Sequence, residues 1–73
     1  MVEVFKTNVT DPAQADLLLT EIHQTFRNYK ANFDLEDCDK ILRVKCTTDF
    51  IQSVALINLL QDFGFDAEVL PED

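Results

Sequence analysis

Along this chain apolar and polar residues alternate in some segments and recur every three to four residues in others, and the two periods mark strands and helices. Val2, Val4 and Phe5 fall in a short run of strand formers, so Val2 to Thr7 is expected to be a first strand. Asp11 then precedes Pro12, with Gln14 three residues after the aspartate. That combines an N-cap, a proline at the first helical position and a capping-box partner, which marks a helix start. Ala15, Leu18, Leu19, Ile22, Phe26 and Tyr29 follow one helical face, with Asp16, Thr20, Glu21, His23, Gln24 and Arg27 largely off it.

Two alternating runs come next. Ala31, Phe33 and Leu35 alternate with Asn32, Asp34 and Glu36, and Leu42, Val44 and Cys46 alternate with Ile41, Arg43 and Lys45. The polar tract Asp37-Cys38-Asp39-Lys40 between them is expected to turn a hairpin. Thr47, Thr48 and Asp49 are candidate N-caps for a second helix, and Asp49 with Gln52 repeats the capping-box spacing. Val54, Ile57, Leu60 and Phe63 mark its apolar face, widened by Phe50, Ala55, Leu56 and Leu59. Gly64, the single glycine, follows this face as a left-handed C-cap. Ala67 and Val69 give a last strand that ends at Pro71.

The order strand, helix, strand, strand, helix, strand is that of an α+β ferredoxin-like βαββαβ sandwich, a four-stranded antiparallel sheet with two helices on one face. If Val2, Val4, Phe33, Leu35, Leu42, Val44, Ala67 and Val69 face the helices, the open face shows Phe5 and Ile41 among Glu3, Thr7, Asp34, Arg43, Lys45 and Glu68.

Seventy-three residues allow one domain with one core, taken as residues 1–73, and no linker or repeat divides it. Six basic against fourteen acidic residues give a net charge of −8, which favours basic partners and disfavours nucleic acid and anionic membranes. No apolar run approaches the roughly 20 residues of a membrane span, and Met1-Val2-Glu3-Val4 lacks the parts of a signal peptide. A cytoplasmic location is the expectation.

The first loop and the Gly64 region resemble those of the heavy-metal-associated domain family, which includes copper chaperones. That family carries Gly-Met-Thr/His-Cys-x-x-Cys between its first strand and first helix; Asn8-Val9-Thr10-Asp11-Pro12-Ala13-Gln14 occupies the corresponding stretch. Phe63-Gly64-Phe65-Asp66-Ala67 resembles the Ala-Gly-Tyr/Phe-x-Ala signature before the last strand. The family's first helix usually ends at a Gly-Val pair; Tyr29-Lys30-Ala31 has no such glycine, so a longer helix is expected. The resemblance implies a metal-handling fold whose two thiolate positions are held by Asp11 and Gln14.

Paired thiolates at that spacing chelate soft Cu(I) or zinc. Asp11 and Gln14 offer only oxygen ligands from their carboxylate and amide, so no soft-metal site and no cofactor are expected. The remaining cysteines do not replace the pair. Cys38 belongs to the turn and Cys46 to the far end of the next strand, about 26 Å away at about 3.3 Å per residue. A disulfide needs Cα atoms within about 7 Å. Cys46 reads as a small core residue, and His23, the single histidine, as solvated. With no triad and no phosphate loop, there is no case for an enzyme.

Two surfaces remain. The topology gathers Asp11, Glu36, Asp37, Asp39, Asp62 and Asp66 at one end of the sheet, with Lys40 the nearby base, and this end suits a basic protein surface. The open face with Phe5 and Ile41 suits another protein or self-association. The reading is therefore a non-enzymatic interaction module. The alternative is a metal-handling protein with non-standard ligands such as Asp11, Asp66 and Cys38.

Overall fold

The computed structural model describes residues 1–47 and 50–71. The six expected elements are present in the expected order: β1 Val2–Thr7, α1 Pro12–Thr25, β2 Tyr29–Asp34, β3 Ile41–Cys46, α2 Ser53–Asp62 and β4 Ala67–Val69. All strand pairs are antiparallel and the sheet order is β2-β3-β1-β4. β1 and β3 are therefore central, and β2 and β4 are edges. The core packs Ala15, Leu18 and Ile22 of α1 and Leu56 and Leu60 of α2 against Phe5, Leu42 and Val44 of the sheet.

β1 corrects one expectation. Phe5 is fully buried at 0% exposure and Thr7 is buried, while Val2 is 38% exposed. Cross-strand partners share a face, and Phe5 is paired with Leu42 of the core, whereas Val2 and Val4 are paired with Lys45 and Arg43. Phe5 and Thr7 thus face the helices, and Val2 and Val4 face away. The reason lies in the strand's far end: pointing Val2 and Val4 inward would also point Lys6 inward, and burying an unpaired ammonium is costly. Phenylalanine also buries more apolar surface than valine. Ile41 does lie on the open face, opposite Asp34, but it is only 7% exposed and offers little contact area.

α1 is shorter than expected. It ends at Thr25 with Phe26 as C-cap, and Tyr29 already belongs to β2, paired with Cys46. The three-residue spacing of Phe26 and Tyr29 fits a helix, but their rings instead stack across the α1–β2 connection at 4.9 Å and 11°. As a strand residue, buried Tyr29 finds a partner for its hydroxyl oxygen, which accepts from the Gln52 amide at 2.8 Å. The strand accordingly runs from Tyr29 to Asp34, two residues ahead of the alternation read from sequence. His23 is exposed but engaged: its Nε2 accepts the Ala31 amide at 3.0 Å, on the outer edge of β2.

α2 begins at Ser53 with Gln52 at the N-cap position and no side-chain cap. The expected caps Thr48 and Asp49 lie outside the described residues. Its buried face is centred on Leu56 and Leu60; Val54, at 71% exposure, and Phe50 and Phe63 are exposed, contrary to the wider stripe read from sequence. Gly64 ends the helix as expected, at φ 87°. Phe65 N–H donates to the Leu60 carbonyl at 3.0 Å and Gly64 N–H to that of Gln61 at 2.9 Å, the two bonds of a Schellman motif.

Candidate functional site

Three connections meet beyond the Thr7 end of β1, and hydrogen bonds lock them together. Thr7 N–H donates to the Asp39 carbonyl at 3.1 Å, and its hydroxyl donates to the Lys40 carbonyl at 2.5 Å while accepting from Val9 N–H at 3.2 Å. The first loop is thereby fastened to the hairpin. Asn8 fastens the same loop to the α2–β4 turn: its Oδ1 accepts Asp66 N–H at 2.8 Å, with a longer 3.5 Å contact from its Nδ2 to the Asp66 carboxylate. Val9 is fully buried and anchors the loop in the core. Sequence reasoning missed Thr7 and Asn8 because it placed Thr7 on the open face and treated Asn8 only as part of a degenerate motif.

Asp11 caps α1 as expected, its Oδ1 accepting Ala13 N–H at 2.9 Å. The reciprocal half of the expected box is not formed among the described residues; Gln14 is exposed on the first turn of α1. Asp11 therefore has one oxygen committed to the backbone, and neither Asp11 nor Gln14 carries a soft donor.

The hairpin is built on its own carboxylates and one lysine. Asp37 Oδ1 accepts Asp39 N–H at 2.9 Å, Lys40 N–H donates to the Asp37 carbonyl at 3.0 Å, and Lys40 takes a positive φ of 47°. The Lys40 ammonium donates to the Leu35 carbonyl at 2.8 Å, so it holds the turn, and it forms no ion pair among the described residues. A second cation stands close by: Lys6 Nζ is 3.9 Å from Asp39 Oδ1, with both side chains about half exposed, a geometry worth little in water. Ligand atoms of Asp37, Cys38 and Asp39 lie within 4.8 Å of one another.

The connections thus bring Asp11, Glu36, Asp37, Asp39, Asp62 and Asp66 to one end of the molecule, all exposed but Asp39, which is partly buried. Phe5 and Ile41, also expected to be accessible, are buried. Asp62 occupies the last turn of α2, where no basic residue balances the negative end of the helix dipole. Its acid is a local cost to the helix. Cys38 is exposed and Cys46 buried, and no disulfide joins them.

No protein-family model and no curated protein sequence matches the chain. A solved structure does: the solution structure of the yeast copper transporter domain Ccc2a, in its apo and Cu(I)-loaded states, is 16% identical. The match has a TM-score of 0.78 and covers 99% of this chain and 97% of that one. At that identity the likeness is one of fold.

Proposed function

We propose that this chain is a non-enzymatic protein-interaction module on a heavy-metal-associated type of fold, with its acidic end docking a basic surface of a partner protein and no soft-metal site in its first loop. The observation that carries the reading is the state of that loop. Where the family has its first thiolate, Asp11 spends a carboxylate oxygen on the Ala13 amide at 2.9 Å, and the second position is an exposed glutamine. The carboxylates of the same end, including Asp62 at an unfavourable helix terminus, support a surface shaped for charge. Lys40, held on the Leu35 carbonyl, and Lys6 offset only part of the charge of these six carboxylates.

A second reading is favoured by the grouping of Asp37, Cys38 and Asp39 within 4.8 Å: a metal-handling protein with hairpin ligands. Against it, Asp37 already accepts the Asp39 amide and Asp39 faces Lys6. Titrating Cu(I), Zn(II) and Ca(II) into labelled protein while following amide shifts separates the two. The interaction module shows no saturable shift at micromolar metal, and captures a basic partner at low salt that is released at high salt. Saturable shifts confined to residues 37–40 or 8–14 at micromolar metal would establish the metal reading instead.

A further inference from the structure

The open face of the sheet differs in charge from the rest of the molecule. With the β1 register established, this face presents Val2, Val4 and Lys6 of β1, Lys30, Asn32 and Asp34 of β2, Ile41, Arg43 and Lys45 of β3, and Glu68 of β4. Among the described residues it holds four of the chain's six basic residues and only two acidic ones, Asp34 and Glu68. A protein of net charge −8 thus carries a basic face.

The excess is concentrated at one corner. Lys30 lies directly opposite Lys45, and Arg43 follows in the next row, beside Val4. All three are exposed, and none forms an ion pair among the described residues. Like charges directly opposite on antiparallel strands destabilise the sheet. The fold therefore gains nothing from this arrangement, and among the described residues no acid pairs with these three. Arg43 is two residues nearer the acidic end than Lys45, but Lys30 and Lys45 are each six residues along the chain from that end, at Glu36 and Asp39, about 20 Å at about 3.3 Å per residue. That exceeds two screening lengths of about 8 Å at physiological salt, so an approaching anion meets the local charge and not the net charge.

We propose that this face docks an acidic segment of a partner protein, one that presents carboxylates and apolar side chains side by side on the same face. The carboxylates meet Lys30, Arg43 and Lys45, and the apolar residues meet Val2 and Val4, which lie in the same two rows. A nucleic acid fits less well: the sheet's aromatic residues, Phe5, Tyr29 and Phe33, lie on the helix side and leave no base-stacking platform. This surface is distinct from the acidic end and does not rest on the function proposed for it.

The test uses the full chain, isotope-labelled, at about 0.15 M salt. The probes are a short peptide repeating Glu-Ser-Val-Ser, which when extended puts glutamate and valine on one face, and a single-stranded DNA oligonucleotide of similar charge. The peptide is expected to shift the amides of residues 2–4, 30–32 and 43–45 saturably. The double reversal K30E/K45E weakens that binding at least about ten-fold, while R27E, outside the sheet, leaves it unchanged. Both variants alter exposed side chains, and an unchanged thermal midpoint confirms that they fold. No saturable peptide shift, equal binding by K30E/K45E, or tighter binding of the oligonucleotide would each overturn the proposal. So would shifts of these amides that grow with protein concentration alone, which would assign the face to a second copy of the chain.

Discussion

Asp11 is the residue on which the readings of the first loop divide, and capping and ligation make opposite demands on it. A cap needs one oxygen acceptor, which asparagine also supplies, whereas a hard cation needs the charge. Asp11→Asn is therefore expected to leave stability within about 0.5 kcal/mol, and Asp11→Ala to cost about 1 kcal/mol, both read from urea unfolding. A large loss in the asparagine variant would mean that the carboxylate charge has another role. Gly64 offers a cleaner case. A Cβ at this position would meet nothing within 4 Å, so the cost of Gly64→Ala comes only from the φ of 87°. About 1 kcal/mol is expected, a fall in thermal midpoint of about 4–8 °C for a domain of this size. Gly64 was legible in the sequence because glycine has few reasons to follow an apolar helical face. Thr7 was not, since a threonine in a strand reads equally well on either face.

At the scale of elements, the order and type of all six were carried by periodicity, and the errors fell where two periods competed. In β1 the pair Val2 and Val4 alternates as neatly as Phe5 does with its own neighbours, and only the position of Lys6 decides between them. The consequence can be measured. Phe5→Ala should cost about 3–5 kcal/mol, as for a buried aromatic, and Val2→Ala less than about 1 kcal/mol. The opposite ranking would restore the register read from sequence. In α1 the residues Phe26 and Tyr29 are spaced for a helix, and only the partner for the tyrosine hydroxyl, the Gln52 amide just before α2, reveals that Tyr29 has entered β2. Long-range hydrogen bonds of this kind leave no local trace in composition. The acidic end was legible because topology alone brings its three connections together, while the basic face was only half legible: Arg43 and Lys45 were read on it, but Lys6 was lost to the β1 register and Lys30 to the α1–β2 boundary.

Taken as a whole, the molecule measures 30 × 30 × 18 Å and carries opposite charge on two nearby surfaces, which makes its response to salt unusual. At about 0.01 M the screening length is about 30 Å and an anionic peptide senses all of the −8; at about 0.15 M it senses chiefly the basic face. Affinity for such a peptide is expected to pass through a maximum between these values and about 1 M, measured by titration across ionic strength. A steady decline from the lowest salt would show that the distant acids play no part. A basic partner at the acidic end should show that steady decline, since there local and net charge agree in sign.

The bond from the Ala31 amide to His23 also bears on how the protein behaves when concentrated. β2 is an outer strand six residues long, and an outer strand of that length is a template on which another chain can stack into fibres. An imidazole from α1 occupies the middle of that template, filling a donor that a neighbour's strand would need. One side chain, read at first as idle, thus acts as a stopper. Replacing it by alanine should leave the monomer folded in dilute solution yet shorten the lag before thioflavin-positive aggregates form in a millimolar stock. An unchanged lag would place the protection elsewhere, in the electrostatic repulsion between copies.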